Sequence, residues 1–190
     1  ARDEAIACKK RLIERSEKLE KLRALLNFGK IPEDDQWKNW RVASVDGSYS
    51  PAMSERVGAR YGVYCGGYMI FEFGKEEIIK EEYRSGKLFQ DQVKDPDLTQ
   101  RILRLLCTKL ERDVAVHCLE NEDIDLLLID GSFFGFRANM YQIRRKDADL
   151  PEFKRVGELV DYVRDTSIKL MKSGKAVGII QRVRTTAFDG

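Results

Sequence analysis

The sequence predicts an α/β fold, a mixed five-stranded sheet flanked by helices, with a helical extension at the N-terminus. Three observations carry this reading. Short apolar runs bounded by turn residues recur along the chain, and segments with helical periodicity separate the later ones. The order is helix, three strands, helix, strand, helix, strand. A meander that passes into strand–helix alternation implies a mixed sheet with helices on its faces.

With 190 residues, 43% hydrophobic and 35% charged, the chain has the length and composition of a globular protein with a real core. No apolar run approaches the roughly 18–20 residues that cross a bilayer. The acidic start, Ala1-Arg2-Asp3-Glu4, is unlike a signal peptide, and the missing initiator Met is what a processed protein or a fragment shows. A cytoplasmic protein with no membrane contact is expected. The net charge of +2 gives no global basic field, but an acidic metal site can offset a basic groove elsewhere. Cys8, Cys65, Cys107 and Cys118 lie far apart without a CxxC pair, and read as reduced, mostly buried thiols. His117 is the single histidine, so no zinc cluster is expected.

Residues 3–26 carry Ala5, Cys8, Leu12, Leu19, Leu22 and Leu26 at helical spacings, and Asn27-Phe28-Gly29 reads as the stop. The narrow stripe suits docking on the chain's own sheet or a dimer or partner contact. Residues 1–39 therefore form a helix and linker, and 40–190 a core domain. Trp40 to Asp46 is the first strand; Tyr61 to Phe73 is the second, with Gly66-Gly67 as a bulge or bend. Glu77 to Tyr83 reads as an edge strand. Asp95-Pro96 caps and starts a helix buried through Ile102, Leu103, Leu106, Cys107, Leu110, Val114 and Cys118. Asp125 to Asp130 is a continuous apolar run, as in a strand buried on both faces. Pro151 opens another helix, with Val156, Leu159, Val160, Val163, Leu170 and Met171 inward and Gly174 as the stop, before a last strand from Ala176 to Ile180.

Val45-Asp46-Gly47-Ser48 and Ile129-Asp130-Gly131-Ser132 stand out. Each places a carboxylate at the carboxyl end of an apolar strand, where functional groups of open α/β sheets gather. If the strands are parallel neighbours, about 4.8 Å apart, both carboxylates reach common metal ions. Hard oxygen ligands favour Mn²⁺ or Mg²⁺. In two-ion phosphodiester hydrolysis one ion activates water and the other stabilises the leaving oxygen. The competing reading is a pair of Asp-Gly turns. A third carboxylate is expected from the intervening helix: Glu111 and Asp113 lie on opposite flanks of its apolar face. Ser48 and Ser132 suit phosphate or turn bonding. Arg137, Arg144, Arg145 and Lys146, with Arg182 and Arg184, are candidates for a groove that tracks a nucleic-acid backbone. Phe133, Phe134 and Phe136 suit the core or base stacking.

Together the VASVDGSY strand (Val42–Tyr49), the LLLIDGSFFG segment (Leu126–Gly135) and the closing AVGIIQRV strand resemble the NurA nuclease family, over about residues 40–183. The resemblance implies a ribonuclease H-like fold and a manganese-dependent endo- and exonuclease acting on DNA, single-stranded or at duplex ends, in double-strand-break end resection. The implied ligands are Asp46, Glu111 and Asp130, around two Mn²⁺ or Mg²⁺ ions. It also implies a homodimer and a HerA-type hexameric helicase as partner. Where the family carries a lysine in its last strand, this chain has Gln181 and Arg182. The family's last acidic residue, its histidine and the closing helix would lie beyond Gly190, as in a truncated chain. The alternatives are a catalytically inactive DNA-binding or helicase-docking subunit of the same fold, and an endonuclease V-like repair nuclease with a similar first-strand Asp. The second DGS motif favours NurA over the latter.

Overall fold

The computed structural model describes residues 2–23, 35–56, 58–75, 77–91 and 94–180. The chain divides into two compact units, one containing the N-terminal helix and the other Asp35–Gln181. Helix α1 spans Arg2–Arg23, and Ile6, Leu12 and Ile13 on it are exposed. The side chains of Leu19 and Leu22, Leu26 and the expected stop at Asn27-Phe28-Gly29 lie outside the described residues.

In the larger unit, β1 (Arg41–Tyr49), β2 (Ser54–Arg56), β3 (Ala59–Glu72) and β4 (Ile78–Asp91) precede α2 (Pro96–Asn121). Then come β5 (Leu126–Asp130), the one-turn α3 (Arg137–Met140), α4 (Val156–Lys172) and β6 (Ala176–Ile179). The sheet order is β2-β3-β1-β5-β6, with β4 on the other side of β3. β1, β3 and β4 pair antiparallel, whereas β5 runs parallel to both β1 and β6. This is a ribonuclease H-like arrangement. All five expected strands are present, and β2 adds a three-residue ribbon.

Asp95 caps α2 as its sequence demands, accepting from the Asp97 N–H at 3.0 Å, with Pro96 in the first turn. α2 lies between the sheet and α4, so it buries two faces. Its N-terminal half joins Leu88, Val156, Leu159 and Val163. Its C-terminal half packs Val114, Ala115 and Cys118 against Ala43 and Val45 of β1, Tyr68 and Ile70 of β3, and Leu127 and Ile129 of β5. Strand alternation puts all these sheet residues on one face. On the other face Val63, Met69, Tyr83, Phe89, Val177 and Ile179 are exposed. Ile129 is 1% exposed, and its truncation to Ala removes contacts on which both β5 and α2 depend. The expected loss is about 2–5 kcal/mol, read as a lower urea midpoint at unchanged slope.

Four expectations are corrected. Gly66-Gly67 is regular strand, and the register shift falls at Ile70/Phe71. Gly67 serves clearance instead: a Cβ on it would lie 2.5 Å from the Tyr83 ring. β4 continues to Asp91 rather than ending near Tyr83, because β3 supplies pairing along its whole length. α4 starts at Val156, not Pro151, because Asp147 bridges Arg155 and the Ala148 N–H donates to the Lys154 carbonyl, holding 147–155 in a loop. Met171 is outward, whereas Gly174, at φ 70°, does end that helix. No described helix is long and apolar enough to cross a membrane. Cys107 and Cys118 are buried while Cys8 and Cys65 are exposed, and all four thiols are free.

Candidate metal centre

The parallel register of β1 and β5 positions the two aspartates. Its last pair is Val45 with Ile129, so Asp46 and Asp130 are the next residues on adjacent strands, at the same level and on the same face. The two strands then behave differently. β1 continues to Tyr49 because β3 still pairs with it, Asp46 opposite Gly67 and Gly47 opposite Gly66. The first motif is therefore strand, and the Asp46 carboxylate accepts from its own neighbour's N–H, Gly47 N to Oδ1 at 2.7 Å. β5 stops at Asp130, where Gly131 takes φ 78°, a conformation that suits glycine. Turn chemistry thus explains the backbone of the second motif but not of the first.

Glu111 approaches from α2. Gly47 lies on the helix-facing side of β1, and a Cβ there would sit 2.6 Å from both Cγ and Oε1 of Glu111 and 3.0 Å from Cys107 Sγ. The missing side chain is the space that Glu111 fills. Burial pushes the Glu111 carboxyl up to about 7, with Asp46 and Asp130 adding to the rise, while Arg112 and Arg104 oppose it. Three carboxylates thus share one electrostatic neighbourhood, two from strand ends and one from the helix. Among the described residues, no group of three or more His, Cys, Asp or Glu stands close enough to hold a metal ion between them. Alternation accounts for that spacing: Asp46 and Asp130 project on the side of the sheet opposite α2. The donor set is all carboxylate oxygen, which fits Mn²⁺ or Mg²⁺, and a cation there would relieve the part of the Glu111 rise that Asp46 and Asp130 add to the effect of burial. Gly47→Ala is expected to force Glu111 out of its place. We expect a loss of about 1–3 kcal/mol in stability, with weakened Mn²⁺ binding by calorimetry.

Asp113 is engaged elsewhere. It pairs with Lys109 at 2.9 Å and accepts from the Tyr162 hydroxyl at 2.9 Å, tying α2 to α4. Sequence reasoning missed Arg112. Its side chain is fully buried, with Nη2 donating weakly to the Ser132 carbonyl at 3.4 Å and the guanidinium 5.9 Å from the Phe133 ring. Nε and Nη1 have no acceptor among the described residues. Burial lowers its proton affinity, while Glu111 and Asp130 raise it, so it is the buried counter-charge of the acidic centre. The signal was available, since Arg112 lies one helical repeat after Leu105 and three residues before Ala115, both buried.

Arg144 is held by Asp161, both carboxylate oxygens at 2.8 Å from Nη2. Arg145 is exposed on the same cleft, and Arg137 is exposed on α3. Arg182 and Arg184 lie outside the described residues. Phe133 and Phe136 pack against the two core clusters. His117 sits beside Asn121 and 3.5 Å from Glu82, away from the carboxylates.

Comparison with known proteins gives a family and a fold. The family model described as the NurA domain matches residues 41–188. The crystal structure of the NurA nuclease from Sulfolobus solfataricus is similar at 14% identity over 94% of this chain and 61% of that one, with a TM-score of 0.54, and it shows the fold. A crystal structure of NurA with manganese matches at 17% identity over 96% of this chain and 44% of that one, TM-score 0.48. The catalytic domain of human endonuclease V matches at 17% identity over 66% and 49%, TM-score 0.33. This chain thus spans less than two thirds of each of these proteins. No curated protein matches it.

Proposed function

The chain belongs to the NurA family, and from that membership we propose that it is a metal-dependent DNA nuclease, with Asp46, Glu111 and Asp130 as its metal ligands. The observation that carries this reading is the level placement of Asp46 and Asp130 at the end of the β1–β5 register, with Glu111 brought against β1 at Gly47, the residue after Asp46. Two Mn²⁺ or Mg²⁺ ions there would supply an activated water and neutralise the leaving oxygen during phosphodiester hydrolysis. The protein's own part is to hold the carboxylates. The strands fix the two aspartates, Gly47 admits Glu111, and Arg112 beneath the Gly131-Ser132 turn limits repulsion before a cation arrives. The family resemblance further proposes action at DNA ends in double-strand-break resection, as a homodimer with a HerA-type hexameric helicase.

The direct test is cleavage of plasmid and of end-labelled oligonucleotides with Mn²⁺ or Mg²⁺, compared with EDTA. Metal-dependent products are expected, and equal cleavage in EDTA would refute a metal centre. A second reading, a DNA-binding or helicase-docking subunit without turnover, is favoured by the lack of a closed ligand set among the described residues. DNA binding without cleavage in any divalent metal would establish it.

A further inference from the structure

The sheet face opposite α2 carries exposed aromatic rings that the acidic centre leaves unexplained. The registers order them in rows. Asp46 stands opposite Gly67, and Gly67 opposite Tyr83; Ser48 opposite Cys65, and Cys65 opposite Ser85; Val63 opposite Lys87; and Tyr61 opposite Phe89. Each row lies two residues further along β3, about 6.8 Å, so the strip from Asp46 to Phe89 is roughly 20 Å long.

Both ends of the strip are aromatic. At the first, the Tyr83 ring occupies the space where Gly67 would carry a Cβ, so it lies across β3 in the same row as Asp46. Its hydroxyl donates to Glu81 at 3.1 Å, which fixes the ring, and the residue is 64% exposed. At the far end Tyr61 and Phe89 are stacked, centroids 5.6 Å apart and planes 23° from parallel, and Phe89 is 57% exposed. The Lys87 ammonium lies 5.5 Å from the Phe89 ring. Between the ends is a cavity of about 820 Å³, whose lining includes Ser48, Cys65, Ser85, Val63 and Lys87. That is within the usual size of a ligand cleft, roughly 300–1,000 Å³.

An isolated exposed aromatic needs no explanation, but this arrangement is more specific. Rings at the two ends, with hydroxyls and a lysine between, lead directly to a carboxylate proposed to bind metal. The core of a protein–protein interface would instead be continuous apolar surface with few charges. Exposed rings interleaved with polar groups match the stacking platforms that hold single-stranded nucleic acid, where bases stack and the backbone meets polar groups and cations. A duplex keeps its bases stacked internally and cannot use such rings.

We propose that this face of β3 and β4 is the track for a single-stranded nucleic-acid segment, one base stacking on Tyr83 beside Asp46 and another on the Tyr61–Phe89 pair, with Lys87 at the backbone between them. The proposal rests on the nuclease reading for its direction but not for its test. The full chain is titrated into a fluorescently labelled oligothymidine in EDTA and followed by anisotropy, beside a duplex of equal length. Tyr83→Ala and Phe89→Ala are each expected to weaken single-strand binding by about 5- to 150-fold. Tyr83→Phe, which keeps the ring, is expected to retain affinity. Lys87→Ala is expected to lower the salt slope by about one unit. Wild-type affinity in both alanine variants, or equal binding of duplex, would overturn the track even if the wild type cleaves DNA. Binding through these rings by a chain that never cleaves would sustain the track while removing the nuclease reading. A change in sedimentation of the two variants with oligonucleotide binding intact would assign the face to a second copy of the chain, and the proposal would fall.

Discussion

Replacing Asp130 by Asn is expected to lower the proposed metal-dependent DNA cleavage on the order of 10³-fold, and Asp46→Asn to do the same. Lewis-acid and charge stabilisation by a bound ion supplies several kcal/mol of the barrier reduction, and each 1.4 kcal/mol is tenfold in rate. Neither side chain supports the core. Both are exposed, and the adjacent core positions, Val45 and Ile129, are untouched by the change. The variants should therefore melt like the wild type while losing turnover. As proposed ligands of the same ions, they should not act independently, and the double variant is expected to lose little more than either single one. Rates measured across Mn²⁺ concentrations, with circular dichroism melts in parallel, check this. Turnover within a few-fold of wild type in either single variant would remove that residue from the centre.

Stability of the metal-free protein is expected to fall as pH rises from about 4 to 8, with Glu111 as a principal cause. Its carboxyl is pushed up to about 7 by burial and by Asp46 and Asp130, whereas in the unfolded chain it titrates near 4.3. The folded state therefore holds an extra proton between those values, and stability declines with pH wherever the folded state binds more protons. The contribution is fully present below about pH 4 and is lost as pH climbs through 7, amounting to something on the order of 3 kcal/mol. Glu111→Gln, neutral at every pH, should flatten the slope and make the apoprotein more stable than wild type at pH 8. Mn²⁺ should stabilise the wild type more at pH 8 than at pH 5, where a proton competes for the site, and should stabilise Glu111→Gln less. Urea midpoints at these two pH values, with and without Mn²⁺, provide the measurement. A pH slope unchanged in Glu111→Gln would detach Glu111 from the effect.

The local parts of the site are readable in the chain, and the parts that depend on partners are not. The apolar runs ending at Asp46 and Asp130, and the Asp95-Pro96 start of α2, follow from periodicity and capping, and each element appears where those rules put it. The chain alone does not say that β1 runs on through Asp46-Gly47-Ser48, because its pairing with β3 outlasts its pairing with β5. Gly66 and Gly67 look like a bend in one dimension, yet in three they are regular strand, and Gly67 clears space for the Tyr83 ring. Arg112 looks like a solvated helix residue until α4 is seen to cover α2's second side. Glu111 and Asp113 are equivalent by helical angle, and they part company only when Tyr162 and Lys109 engage Asp113. Apart from the i,i+4 pair of Lys109 with Asp113, the deciding neighbour lies far along the chain, beyond the reach of local pattern.

The parallel contact between β1 and β5 also bears on how the protein folds. β3 and β4 are separated by only a few residues of sequence between Glu72 and Ile78 and pair antiparallel, a closure of the kind that hairpins make in microseconds. β1 and β5 join residues 84 apart, as where the Arg41 N–H donates to Asp125, and a contact of that separation carries the loop-closure entropy of everything between. Asp46 and Asp130 are brought level only by that long-range pairing. The hairpin is therefore expected to form before the aspartates pair, and the acidic centre to become complete only near the end of folding.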